Sequence, residues 1–187
     1  MQFFELDHPA TQQHKVARAP GPGPTYVAAD LTIENAAEAL RGGGLDKGQP
    51  ALFVLEGVTM YLPESVVRRQ LAALADASAP GSRLTTDFYP PQDTGTSADQ
   101  WQNRIQRLAR TGSGEGLRLL IHRSKAVALV DACGWRVNDV MGMRNAARRH
   151  VPLACGLPVE AVNDHKTLVA GTRTSRPGKA ECPLRRV

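Results

Sequence analysis

Three short apolar runs, each ending on an acid and separated by segments of helical length, constrain this chain more than any other feature. They are Phe3-Phe4-Glu5-Leu6-Asp7, then Thr25-Tyr26-Val27-Ala28-Ala29 before Asp30, then Ala51-Leu52-Phe53-Val54-Leu55 before Glu56. The third is the clearest, a continuous apolar run that reads as a strand buried on both faces, the habit of parallel sheets covered by helices. The intervening segments supply the helices. Pro9 suits a first helical position, with Asp7 placed to cap it, and a helix is expected over Ala10–Ala19, closed by the Pro-Gly run at 20–24. Thr32 is placed to cap a helix to about Arg41, stopped by Gly42-Gly43-Gly44. Pro63 opens another, in which Val67, Leu71 and Leu74 share one face. Arg83–Phe88, Trp135–Val140 and His165–Thr172 read as later strands, and Ser124–Cys133 as a helix ended by Gly134. The polar stretch from Asp93 to Gly116 is expected to hold a helix around Trp101–Leu108. This alternation means an α/β protein with a mainly parallel sheet and helices on both faces.

With 187 residues, 42% of them apolar, the chain suits one domain with a real core. Its net charge of +5 is concentrated at one end. Arg173, Arg176, Lys179, Arg185 and Arg186 face only Glu181 there, leaving eighteen basic against seventeen acidic residues over 1–172. A nearly neutral body with a basic end is not the electrostatic footprint of a nucleic-acid binder. The expected organisation is therefore one domain over 1–172 and a solvated, disordered tail over 173–187. Cys133, Cys155 and Cys182 suggest neither a disulfide framework nor a metal pattern. The five histidines show no ligand spacing, so no metal is expected. No membrane-spanning run and no leader are visible, and the cytoplasm is the expected compartment.

In open α/β sheets ligands bind beyond the carboxyl ends of the strands. An acid after one strand can accept hydrogen bonds from ribose hydroxyls. An acid after the next can accept from an adenine amino group, with an apolar neighbour such as Leu31 covering the ring. Asp7 and Asp30 stand at such places, as does Glu56. Each also has an ordinary explanation: Asp7 as a helix cap, Asp30 as the organiser of a turn. No Gly-x-Ser-x-Gly supports a hydrolase. The basic cluster Arg144, Arg148, Arg149 and His150 reads first as a solvated helix face, and Trp101 and Trp135 as packing residues.

The segments Phe3–Gln12, Tyr26–Leu31 and Leu55-Glu56-Gly57-Val58-Thr59-Met60-Tyr61-Leu62-Pro63, continuing through Pro80–Leu84, resemble the leucine carboxyl methyltransferase family. Within it the likeness is to the bacterial branch of S-adenosylmethionine-dependent methyltransferases. The resemblance implies a Rossmann-like class I methyltransferase fold with S-adenosyl-L-methionine as cofactor. It makes Asp7 the ribose ligand and Asp30-Leu31 the adenine site. Glu56 would face the cofactor's amino-acid end, and Tyr61 would line the approach to the acceptor. The acceptor would be a small-molecule or protein carboxylate, which is already a nucleophile and needs no general base.

One departure accompanies the resemblance. The family's first strand and Gly-rich loop would precede Phe3, and no other glycine cluster in the chain follows a strand in the same way. The expected sheet therefore lacks its central strand, leaving the strands before Asp7 and Asp30 without a neighbour to join them to the strand before Glu56. The consequences expected of such a chain are weak cofactor binding, no methyl transfer on its own, and self-association through unpaired edges. The rival reading is a non-catalytic remnant or interaction module of methyltransferase ancestry. A nicotinamide enzyme is disfavoured by the same missing loop and by the Glu56–Pro63 segment.

Overall fold

The computed structural model describes residues 1–19, 21, 23–91, 116–150, 159, 162, 164 and 166–173. The chain starts with strand β1 (Phe4–Asp7), helix α1 (Pro9–Val16), strand β2 (Thr25–Ala28) and helix α2 (Ala36–Gly42). Strand β3 (Leu52–Leu55) then leads through a short 3₁₀ turn (Thr59–Tyr61) into helix α3 (Glu64–Asp76) and strand β4 (Arg83–Phe88). Helix α4 (Arg123–Ala132), strand β5 (Trp135–Gly142), helix α5 (Met143–His150) and strand β6 (Thr167–Arg173) complete it. The expected helix around Trp101–Leu108 lies outside the described residues.

The strands form two sheets. β1 and β2 pair in parallel, with Asp7 opposite Ala28. The second sheet has the order β3-β4-β6-β5: β3 and β4 are parallel, while β6 runs antiparallel to both β4 and β5. The expectation of a mainly parallel sheet thus holds for the nucleotide-type units and fails at β6. That strand follows β5 without a crossover back to the same end, and such a return is antiparallel. Among the described strands the two sheets share no ladder.

The core lies between the β3-β4-β6-β5 sheet and helices α2, α3 and α4. Leu71 is fully buried, and Val67 and Leu74 nearly so, because their spacing keeps one face of α3 against the sheet. Each such side chain contributes about 1.5–3 kcal/mol. Trp135 starts β5 in the centre of this layer, edge-on to Phe53 with ring centroids 5.9 Å apart, and its indole N–H donates to the Leu71 carbonyl at 2.9 Å. Gly134, at φ +91°, makes the left-handed turn that ends α4 and aims Trp135 inward.

Four local expectations need correction. The run at 51–55 is not buried on both faces: Phe53 is buried, but Leu52 and Val54 are 65% and 62% exposed. Val54 aligns across the sheet with Thr85, Ala170 and Asp139, on the face turned away from α2–α4, and the edge of β3 beside it is unpaired among the described strands. Thr32 does not cap α2. Asn35 does, accepting from Ala37 N and Glu38 N, because the Thr32 hydroxyl is held by Asp30. The N-cap of α1 is His8, not Asp7, although Asp7 Oδ1 accepts the His8 N–H at 2.7 Å. Arg173, expected in the tail, ends β6, where its N–H donates to Ser82 O and its Nε to Ala75 O.

Candidate functional site

The parallel pairing of β1 and β2 delivers Asp7 and Asp30 to the same end of their sheet. Ala29 N donates to Asp7 O at 3.0 Å, so the chain leaves both strands side by side. Asp30 is half-buried as a residue, and its Oδ1 accepts both the N–H of Thr32 (2.9 Å) and its hydroxyl (2.6 Å). These two bonds, the hydroxyl first, hold the Asp30 carboxyl below its ordinary value, assisted by the charge of His8.

Asp7 is more fully engaged. Its Oδ2 lies 2.8 Å from the Lys15 ammonium, which also meets Glu5 at 2.5 Å. The two carboxylates, Asp7 first, raise Lys15 far above an ordinary lysine. A diol approaching Asp7 must therefore share that carboxylate with Lys15.

Leu31 is half-buried against the core, and its position is set from α3. Gln70, 1% exposed, donates to Leu31 O (2.8 Å) and Glu34 O (2.6 Å), and accepts from Ala36 N (2.9 Å). Arg69 adds bonds to Leu31 O and Thr32 O. One amide side chain thus ties the loop after β2 to the helix after β3.

At the end of β3, Glu56 projects into solvent with 74% of its side chain exposed. The turn behind it is held from β4. Gly57, at φ +69°, donates its N–H to Asp87 Oδ1 at 3.0 Å, and the Thr59 hydroxyl donates to Asp87 O at 2.6 Å. Asp87 is 1% exposed and pairs with Lys166 at 2.7 Å, while Lys166 also lies 3.8 Å from Glu56 and 5.4 Å from the Tyr89 ring centroid. Burial disfavours the Lys166 charge, but Asp87 and, to a lesser degree, Tyr89 together outweigh it and the lysine is raised above its ordinary value. Tyr61 is half-buried in the 3₁₀ turn just beyond, whose Met60 carbonyl accepts from Arg118 and Leu119.

The structure therefore brings Asp7 and Asp30 together, ties Leu31 to α3, and sets Glu56 on a turn of its own. Gln70, Asp87 and Lys166 escaped the sequence reading. Only Gln70 left a local signal, a polar residue on the buried face between Val67 and Leu74. Two clefts among the described residues lie elsewhere, one of 610 Å³ between α2 and α3 and one of 270 Å³ beneath α5, and neither is lined by any of the five candidate residues. The basic cluster on α5 is partly structural, with Arg149 paired to Asp139 and Arg144 bonded to Asp164 and Val162. No group of metal-ligating side chains and no helix fit to cross a membrane occurs among the described residues.

Residues 1–75 match the family described as leucine carboxyl methyltransferase. The chain is 34% identical over 144 residues to a protein of Mycolicibacterium paratuberculosis named "Putative S-adenosyl-L-methionine-dependent methyltransferase", covering 72% of this chain and 47% of that one. A protein of Mycobacterium tuberculosis with the same name is 32% identical over 172 residues, covering 83% of this chain and 54% of its own. The chain spans about half the length of these curated relatives. The crystal structure of a "putative methyltransferase" from Thermobifida fusca superposes with a TM-score of 0.64 at 24% identity, over 93% of this chain and 64% of that one. The likeness establishes a Rossmann-like methyltransferase fold.

Proposed function

From the premise that residues 1–75 carry the leucine carboxyl methyltransferase pattern on a methyltransferase fold, we propose that this chain supplies the S-adenosylmethionine half-site of a methyltransferase acting on carboxyl groups. The observation that carries the reading is the shared exit of Asp7 and Asp30 from a parallel strand pair. Two acids at adjacent strand ends, one with a half-buried apolar neighbour, match the acceptors and the surface that an adenosine needs. The fit is better at Asp30. Both bonds from Thr32 to its carboxylate fall on Oδ1, and the backbone around Leu31 is fixed by Gln70 and Arg69.

The bound cofactor supplies an electrophilic methyl group on a sulfonium. What the chain adds is position, since an in-line displacement gains most from holding its reactants in geometry. Asp7 and Asp30-Leu31 hold the nucleoside, Glu56 meets the cationic amino-acid end, and Tyr61 borders the acceptor's approach. A carboxylate acceptor is already a nucleophile, so the transfer needs no general base from the chain.

Thermal-shift titration with S-adenosylmethionine and S-adenosylhomocysteine tests the reading. Asp7→Ala and Asp30→Ala are each expected to weaken binding by about 1–3 kcal/mol, the cost of stranding polar ligand groups. Unchanged affinity in both variants leaves capping and turn formation as their roles. The exposed edge of β3 at Leu52 and Val54, unpaired among the described strands, favours a second reading, an interaction module, which gains if no adenosyl ligand shifts the melting temperature.

A further inference from the structure

The ion pair between Asp87 and Lys166 lies behind the strand ends and has no place in the half-site just described. Asp87 is almost completely buried, and Lys166 keeps 13% of its side chain exposed. Burying such a pair is a poor way to gain stability, because packed apolar side chains of similar volume serve as well or better. Its contacts suggest a different use. Asp87 holds the Gly57 N–H, which belongs to the same peptide plane as the Glu56 carbonyl, and its own carbonyl holds the Thr59 hydroxyl. Gly57 is left-handed, a conformation that glycine shares readily with its alternatives, so the turn needs an outside anchor. Lys166 neutralises that anchor and reaches to within 3.8 Å of Glu56. Two carboxylates and one ammonium leave the cluster with one negative charge, and the exposed member is Glu56.

We propose that Asp87 and Lys166 are positioning residues: the buried pair fixes the Glu56–Gly57 turn so that Glu56 meets a cationic group on the ligand. This rests on the cofactor reading above, in which that group is the ammonium of the methyl donor's amino-acid end. The pair therefore tells donors with an amino-acid end from nucleosides lacking one.

The test uses the full chain with Lys166→Arg, Lys166→Met and the double variant Asp87→Leu/Lys166→Met. The double variant removes both charges and the Gly57 acceptor together, so it stays folded where Lys166→Met alone can strand a buried carboxylate. Amide exchange at Gly57 is expected to accelerate about tenfold in the double variant while α3 amides keep their protection. Affinity for S-adenosylmethionine is expected to fall about tenfold, with that for 5′-methylthioadenosine, which lacks the amino-acid end, unchanged. Lys166→Arg keeps the charge and should behave as the parent. Unaltered exchange at Gly57, or equal losses for both ligands, overturns the proposal. If neither ligand binds the parent chain, the donor reading falls with it, and exchange at Gly57 still decides whether the pair holds the turn.

Discussion

Replacing Gln70 with Leu isolates the link between the core and the candidate adenine site. The substitution keeps approximate volume on the buried face of α3 but removes three hydrogen bonds: to Ala36 N, Leu31 O and Glu34 O. Ala36 is 6% exposed, so its N–H is left without a partner, at a cost of about 1–3 kcal/mol. Leu31 O keeps its bond from Arg69, and Glu34 is exposed enough for its carbonyl to reach water, so each of these losses is about 0.5–1.5 kcal/mol. Apolar burial of the new side chain offsets part of the sum, leaving a net loss of roughly 2–3 kcal/mol. Urea unfolding reads this directly: at slopes of about 1–3 kcal/mol/M the midpoint falls by about 0.7–3 M with the slope unchanged. Gln70→Glu retains the acceptor for Ala36 but turns a buried carboxylate toward two carbonyls. It should be worse at neutral pH and recover relative to the parent as pH falls and the new group takes up a proton. A loss below about 0.5 kcal/mol for Gln70→Leu would refute the bridging role.

Two further outcomes follow from the same geometry. Thr32→Val removes the hydroxyl that chiefly holds Asp30 low, so the Asp30 carboxyl should titrate closer to its ordinary value in an NMR pH series. Because the folded value lies below the unfolded one, the Asp30 contribution to stability is present above about pH 4 and fades as pH falls through the folded value; the variant should lose part of it at neutral pH. Leu52→Lys and Val54→Lys place charges on an exposed face beside an unpaired edge. Each should change stability by less than about 0.5 kcal/mol and reduce self-association in light scattering; an unaltered association state would show that β3 is not the contact.

Much of this arrangement is legible in the sequence where the signal is local. The spacing of Val67, Leu71 and Leu74 predicts α3 and its buried face, and Gly134 marks the end of α4 because only its own turn is involved. The acids ending the first three strands are legible for the same reason. Competition between neighbours is harder to read. Thr32 and Asn35 both suit a cap, and the outcome depends on Asp30 claiming the Thr32 hydroxyl. Burial of a strand depends on what lies beside it, so the apolar run of β3 gives no hint that Leu52 and Val54 face solvent. The Asp87–Lys166 pair joins residues far apart in the chain through an antiparallel return at β6, which no local pattern announces.

An adenosyl group held at the ends of β1 and β2 would report itself through the backbone amides there. Titration of the ¹⁵N-labelled chain with S-adenosylmethionine, followed by amide shifts, reads even weak binding residue by residue. Saturable shifts are expected at Asp7–His8 and Ala29–Thr32, with a second set at Glu56–Gly57, and loss of the first set in Asp30→Ala. Shifts confined to the cleft between α2 and α3, or none at millimolar ligand, would contradict that site.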